Sequence, residues 1–221
     1  MLLVENLTKV YRRKGREIRA LDGVSLSAKA GEVVAVVGPS GSGKSTLLFT
    51  LGMMARPTQG QVAIDGTPVY EQSHRARRKL RRDRIGFLFQ TFQLLPYLTA
   101  EENIRAALGL RGWSRRKSRT EAARLLDQFG LAERANHLPD GMSVGERQRV
   151  ALARAMAGGP KLLLADEPTG NLDPENAQAV QEHLHQFAHQ DGGLVIVVTH
   201  DPAIGGRADR VLRLESGRIV E

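Results

Sequence analysis

The 221-residue chain contains no cysteine, which excludes disulfides and thiolate metal sites and fits a cytosolic protein. No apolar run approaches the ~20 residues needed to cross a bilayer. "VVAVV" at 33–37 and "LVIVV" at 194–198 are five residues long, which suits buried strands. Aromatic residues make up only 5% of the chain. Neither of its two basic runs, "HRARRKLRRDR" at 74–84 and "RGWSRRKSR" at 111–119, is interleaved with aromatics as a single-strand nucleic-acid platform requires. The opening "MLLVENLTKV" has an acidic residue at position 5 and no cleavable pattern, so it does not read as a signal peptide. Internal repeats and low-complexity linkers are absent from the sequence as well.

What is present describes an ordinary globular chain. With 41% hydrophobic and 25% charged residues, it supports a real core in one domain, or in one domain carrying a subdomain. The formal net charge of +8 sits largely in the two basic runs. Such charge meets nucleic acid, anionic lipid or simply water. The sequence favours a solvated helix face or proximity to anionic head groups, and no nucleic-acid partner is expected.

One stretch is a poor choice for a chain that has only to fold. "GPSGSGKST", residues 38–46, lies between the strand pattern at 33–37 and the helical "LLFTLGMM". Each glycine in it costs ~0.5–1 kcal/mol relative to alanine if the segment is helical. Gly38, Gly43, Lys44 and Ser45 fit the G-x-x-x-x-G-K-[ST] spacing of a phosphate loop, with Gly41 as an extra glycine. A loop with few Cβ atoms turns its N–H groups inward around an anion. The helix beginning near Lys44 adds unpaired N–H groups and the positive end of its dipole. Lys44 is then expected to reach the β- and γ-phosphates of a bound nucleotide, and the Ser45 hydroxyl to ligate Mg²⁺. Ser40, Ser42 and Thr46 complete the candidate phosphate-binding loop.

Strand-like segments lie at 2–5, 22–27, 33–37, 61–64, 85–89, 161–165, 194–198 and 209–214. Helical patterns lie at about 44–54, 99–109, 118–130, 144–157 and 175–190. In 118–130, Ala122, Leu125, Leu126 and Phe129 keep the 3–4 spacing of an apolar stripe. The order is β-rich, then helical from about 91 to 157, then alternating. Alternation around a phosphate loop implies an α/β fold, a parallel sheet with helices on both faces. The expected organisation is one domain over 1–221, with a core of 1–90 and 158–221 and an inserted helical subdomain at about 91–157.

"KLLLADEPTG", residues 161–170, is a buried-strand pattern ending in two carboxylates. Beside a phosphate loop, a strand-end aspartate such as Asp166 holds Mg²⁺, usually through water. Glu167 is then placed to orient and deprotonate an attacking water. "VIVVTHD" ends another apolar strand in Thr199, His200 and Asp201, with His200 expected at the same sheet edge, near the γ-phosphate or Glu167. In "DGMSVGERQRVALARAM", Ser143 and Glu146 form an S-x-x-E capping box before an apolar helix. Gly145 weakens the first turn of that helix. A glycine beside an N-cap serine suggests a second, half-built anion site, and hence two copies that share nucleotides.

Together these stretches resemble the nucleotide-binding subunits of ABC transporters over about residues 2–220. The phosphate loop, Gln90 in "FLFQ", the signature at 142–146, "LLLADE", "GNLD" and His200 stand in the family's order and spacing. The resemblance implies a P-loop NTPase (RecA-like) core with a β-rich N-terminal subdomain and an inserted α-helical subdomain. It also implies ATP hydrolysis, with Tyr11 stacking on adenine and Gln90 approaching Mg²⁺ and the attacking water. Ser143, Val144, Gly145 and Glu146 would form the trans ATP site, and Asp173 would cross the dimer interface. Met142-Ser143-Val144-Gly145-Glu146 departs from the usual L-S-G-G-Q. Val144 would resist a glycine-only conformation, and Glu146 would repel phosphate unless turned back onto the cap. "FLFQTFQLLPYLTAEENI" and "EPTGNLD" are most similar to the MacB/LolD/FtsE-type group, which serves macrolide export, lipoprotein release and cell division. That group implies a membrane permease, docked near Phe92, Leu94, Leu95 and Tyr97, and a position on the cytoplasmic face of the inner membrane. Gln90 and Ser143 are only 53 positions apart, too few for the long coiled coil of chromosome ATPases.

Overall fold

The structure is a computed structural model that describes residues 1–13, 15–200 and 206–220. The chain begins with a long hairpin, β1 (Leu2–Arg13) and β2 (Arg16–Ala28), which β4 (Gln59–Ile64) and β5 (Thr67–Pro68) extend into an antiparallel sheet of order β2-β1-β4-β5. A second sheet is formed by β3 (Glu32–Val37), β6 (Ile85–Leu88), β7 (Leu162–Asp166), β8 (Leu194–Thr199), β9 (Arg210–Glu215) and β10 (Arg218–Ile219), in the order β10-β9-β3-β8-β7-β6. All its pairings are parallel except that of β9 with β10. The helices are α1 (Lys44–Leu51), α2 (His74–Arg84), α3 (Ala100–Leu110), α4 (Arg115–Gln128), α5 (Val144–Met156) and α6 (Pro174–His189).

The central strands β3, β7 and β8 of the second sheet are buried on both faces, and their side chains divide by the two-residue period of a strand. Val33, Leu163, Ala165, Val195 and Val197 point to one face, where they join the apolar sides of α3, α4, α5 and α6 in a continuous core. Val34, Val36, Leu162, Leu164, Ile196 and Val198 point to the other, against α1 and the antiparallel sheet. The mixed α/β architecture matches the expected class. α3, α4 and α5 all lie between β6 and β7, strands that are neighbours in the sheet.

The parallel register aligns the ends that matter. Val37 pairs with Thr199, Asp166 with Val198, and Leu88 with Ala165, so the strand termini carrying candidate chemistry share one edge. Ligands in open α/β sheets bind outside the carboxyl ends of such strands.

The hairpin is far longer than the short strands expected at 2–5 and 22–27. Its outer half, paired from Val10↔Arg19 to Arg13↔Arg16, is rich in charge and lacks the apolar face by which a half-buried strand is recognised. α4 begins three residues before the expected 118, because Ser114 caps it by accepting a hydrogen bond from the Lys117 N–H at 3.3 Å.

Candidate nucleotide site

The loop between β3 and α1 needs its glycines for different reasons. Gly43 is the N-cap residue of α1, with φ of 107°, and a Cβ there would also meet the Ala20 carbonyl. At Gly38 the constraint is close approach, since a Cβ would run into the Leu214 carbonyl on neighbouring β9. The Lys44 ammonium lies back along the loop, donating to the Gly38 carbonyl at 2.7 Å and the Pro39 carbonyl at 3.0 Å. Ser42 is buried beneath the loop, and its hydroxyl has no hydrogen-bond partner among the described residues.

Ser40, Gly41, Gly43, Lys44, Ser45, Thr46, Gln90, Asp166 and Glu167 line one open cavity of about 310 Å³, with Ala20 completing the wall. The Ser45 hydroxyl donates to Asp166 Oδ1 at 3.3 Å. Burial pushes the Asp166 carboxyl above the ordinary aspartate range, and the charge of Glu167 adds to this against the opposing Ser45 and Lys44. A larger cavity, of about 610 Å³, lies elsewhere, between Met1, α4 and the end of α6, and contains none of these groups.

Glu167 follows the last residue of β7 in a left-handed conformation, φ 46°, unusual for a residue with a side chain. Its N–H still donates to the Val198 carbonyl at 2.9 Å, so the backbone turns only after the sheet ladder is satisfied. That turn sets the carboxylate against the end of β8. Thr199 Oγ1 donates to Oε2 at 3.0 Å, the His200 N–H reaches the same oxygen at 3.3 Å, and His200 Nδ1 lies 2.8 Å from Oε1. The Glu167 side chain is 13% exposed and that of His200 69%, so the histidine is the solvent-facing member. Backbone strain of this kind concentrates at functional sites. Thr199 was readable in sequence only as a strand end. Asp201 lies outside the described residues.

Not every candidate meets in this cavity. Tyr11 sits on the outer hairpin, 40% exposed, with the Lys9 ammonium 4.9 Å from its ring centroid. Ser143, Val144, Gly145, Glu146 and Asp173 do not line the cavity. They gather instead where α5 and α6 begin. Asp173 caps α6, accepting from the Asn176 N–H at 3.0 Å and the Asn176 side-chain amide at 2.7 Å. Gly145 is buried against Asn176, and a Cβ would overlap that side chain. Tight helix packing is therefore a second reason for this glycine, one the sequence did not disclose.

Both worrying departures in the signature have local answers. Val144 is the first residue of α5 and takes no positive φ. Glu146 is turned back, accepting from the Ser143 N–H at 2.8 Å and from Arg134 Nε at 2.7 Å, while its own N–H donates to the Ser143 hydroxyl at 3.2 Å. The backbone N–H of Ser143, aided by Arg134, holds this carboxyl below its usual value.

The stretch after Gln90 is partly committed to packing. Phe92 and Leu94 are partly buried against the helical core, whereas Leu95 and Tyr97 are exposed, Tyr97 by 89%. Two groups that sequence reasoning missed shape this loop. Buried Asn103 accepts from the Leu95 N–H at 2.8 Å and donates to the Leu98 carbonyl at 2.9 Å. Arg154 of α5 donates to the carbonyls of Phe92 and Gln93, both in left-handed conformation. A buried asparagine on an apolar helix face was the only sequence signal for either.

Residues 21–170 match the ABC transporter family. The lipoprotein-releasing system ATP-binding protein LolD 2 of Caulobacter vibrioides is 44% identical over 219 residues, covering 99% of this chain and 96% of the relative. The uncharacterized ABC transporter ATP-binding protein YbbA of Escherichia coli K12 is 45% identical over 218 residues, covering 99% and 96%. Among solved structures, the dimeric post-hydrolysis state of the ATP-binding cassette MJ0796, bound to ADP and Pi, superimposes with a TM-score of 0.93 at 39% identity, covering 100% of this chain and 97% of that one.

Proposed function

The chain belongs to the ABC transporter family, and on that premise we propose that it is the ATP-binding, ATP-hydrolysing subunit of a membrane transport complex. The observation that carries the reading is the opposition, across one cavity, of the Lys44 loop and a carboxylate fixed between Thr199 and His200. In this reading the nucleotide phosphates draw the Lys44 ammonium away from the Gly38 and Pro39 carbonyls. The N–H groups of the loop and the start of α1 receive the remaining charge. Glu167 accepts a proton from the attacking water, and His200 positions Glu167 and reaches toward the γ-phosphate. Tyr11 stacks on the adenine.

A divalent cation fits the residues present. Ser45 and Asp166 offer hard oxygen donors in contact, and the raised Asp166 carboxyl is one whose charge a cation relieves. Among the described residues no group of three or more His, Cys, Asp or Glu could hold a metal alone. Few protein donors supplemented by phosphate and water suit Mg²⁺. Ser45 and Asp166, the latter through water, would hold it, with Gln90 approaching. Bound there, it would neutralise charge developing on the phosphates.

Ser143, Val144, Gly145 and Glu146 are proposed to complete the site of a second copy, with Asp173 crossing between them. Their absence from the chain's own cavity, together with the dimeric MJ0796 cassette, supports a shared arrangement. We further propose that Leu95 and Tyr97 dock a permease, that helices within about 91–157 move with Gln90, and that the complex works at the cytoplasmic face of the inner membrane. The name of the C. vibrioides relative supports a lipoprotein-releasing or similar mechanical task. Among the described residues no helix is long and apolar enough to cross a membrane.

Equilibrium titration with a fluorescent ATP analogue tests the site. Wild-type protein should bind and Lys44→Ala should bind at least ~10-fold more weakly, the scale of losing a charge-assisted contact. Equal affinity would remove Lys44 from the proposal.

A further inference from the structure

The fold leaves one strongly charged surface that the nucleotide site does not use. α2 carries seven Arg and Lys residues against a single acid, Asp83, so most of the chain's net charge of +8 stands on one helix. No residue of α2 is buried. Arg82 pairs with Asp83 and Arg84 with Asp65, but among the described residues Arg56, Arg75, Arg77, Arg78, Lys79 and Arg81 make no salt bridge.

Four of these cations converge. Arg56, Arg77, Arg78 and Arg81, with His74, line a cavity of about 270 Å³ beside Met53, Met54 and Tyr70. Among the described residues no carboxylate lines it. Its walls are braced: the Tyr70 oxygen lies 2.6 Å from the Thr50 carbonyl and 2.7 Å from that of Ala55, and Arg81 donates to the Met53 carbonyl at 3.1 Å. At about 30 Å³ for each water, the space is several times that of a single water molecule.

We infer that this arginine-lined cavity and the exposed face of α2 bind the phosphate head groups of an anionic membrane surface. Arginine forks match phosphate oxygens in geometry as well as charge. Met54, 46% exposed, adds apolar surface beside the cations, as suits a boundary between head groups and acyl chains. Nucleic acid is the weaker occupant. Among the described residues the cavity wall holds no Phe or Trp, and the hydroxyl of its one Tyr, Tyr70, is turned inward while Arg77 covers the ring at 5.8 Å, which leaves a poor stacking platform. The basic run of α4 differs, because Lys117 sits over Trp113 at 3.8 Å, Arg119 faces Glu101 at 3.9 Å and Arg124 pairs with Glu121 at 2.8 Å. The inference takes from the proposed function only that a membrane is nearby. Lipid binding by the isolated chain is read without ATP, so its failure and that of the hydrolysis reading are separable.

The test is sedimentation of the full chain with vesicles of phosphatidylcholine alone, or mixed with phosphatidylglycerol. Binding is expected only to the mixed vesicles and should weaken with salt. Each basic residue near an anionic surface is worth roughly fivefold in affinity, so the combined Arg56→Gln, Arg78→Gln, Arg81→Gln protein should lose on the order of a hundredfold. Its ATP hydrolysis should be unchanged. The same number of neutralisations on α4 (Arg115→Gln, Arg116→Gln, Arg119→Gln) should cost less than about tenfold, because those charges lack a converging site. If the α2 triple variant does not fold, Arg78→Glu, at an exposed position, should alone lose roughly twentyfold. Equal losses from the α2 and α4 variants would reduce the effect to diffuse charge and overturn the site. Equal binding to pure phosphatidylcholine, tighter binding to duplex DNA, or displacement by inorganic phosphate at constant ionic strength would overturn the lipid assignment.

Discussion

Glu146 replaces a neutral amide in the signature, and its geometry makes a sharp prediction about what that carboxylate does. It receives the Ser143 N–H at 2.8 Å and Arg134 Nε at 2.7 Å, so Glu146→Ala loses the return arm of a capping box together with an ion pair. The capping hydrogen bond is worth about 0.5–1.5 kcal/mol. The pair adds about 0.5 kcal/mol, held down because the Arg134 side chain is 44% exposed. A loss of about 1–2 kcal/mol lowers Tm by roughly 2–8 °C in a domain of this size. Glu146→Gln keeps an acceptor for Ser143 and gives up only the charge, so it should cost less than about 1 kcal/mol. The pH dependence has a definite sign. The native carboxyl is held below its ordinary value, so its stabilisation is complete above the ordinary glutamate range and is lost as pH falls through the depressed native value. Urea unfolding at neutral and at acid pH measures this, and the midpoint gap between wild type and Glu146→Gln should narrow in acid. A gap constant with pH, or a Glu146→Ala protein as stable as wild type, would refute the reasoning.

Asp166→Asn should stabilise the nucleotide-free protein at neutral pH while abolishing hydrolysis. The native carboxyl is raised by burial and by Glu167, so its ionised form opposes folding at neutral pH. That penalty is relieved as pH falls through the raised native value, and the advantage of asparagine should therefore shrink in acid; thermal scans across pH check this, and no stabilisation at neutral pH would contradict it. Gly145→Ala should destabilise even an isolated monomer, because its Cβ displaces the Asn176 side chain from Asp173 and Arg149; unchanged monomer stability with lost dimerisation would assign the glycine to the trans site alone. Leu95→Glu and Tyr97→Glu should leave ATP binding by the subunit nearly unchanged yet abolish co-purification with the permease, and retained co-purification and transport in both would exclude the docking assignment.

Where the sequence was legible, a single local constraint wrote it. The phosphate loop demands glycines and Lys44 at fixed spacing, and "LLLADE" joins a fully buried strand to two carboxylates. The Ser143–Glu146 capping box was readable because both partners lie within one helical turn. What remained hidden depends on parts of the chain that meet only on folding. The grip of Arg154 on the loop after Gln90 spans 61 and 62 positions, and the contact of Gly145 with Asn176 joins the starts of two helices. The outer β1–β2 hairpin was missed because both its faces carry charge. In the stretch after Gln90, apolar composition alone could not separate Phe92 and Leu94, which pack inward, from Leu95 and Tyr97, which do not.

Glu167, proposed as the group that activates water, is set by a left-handed backbone against Thr199 and His200. The most direct test is phosphate release by Glu167→Gln beside wild-type protein, with ATP affinity measured on the same preparations. Turnover should fall by ~10² or more, the scale of losing a general base, while ATP binding is retained. Hydrolysis by Glu167→Gln at the wild-type rate would contradict that role.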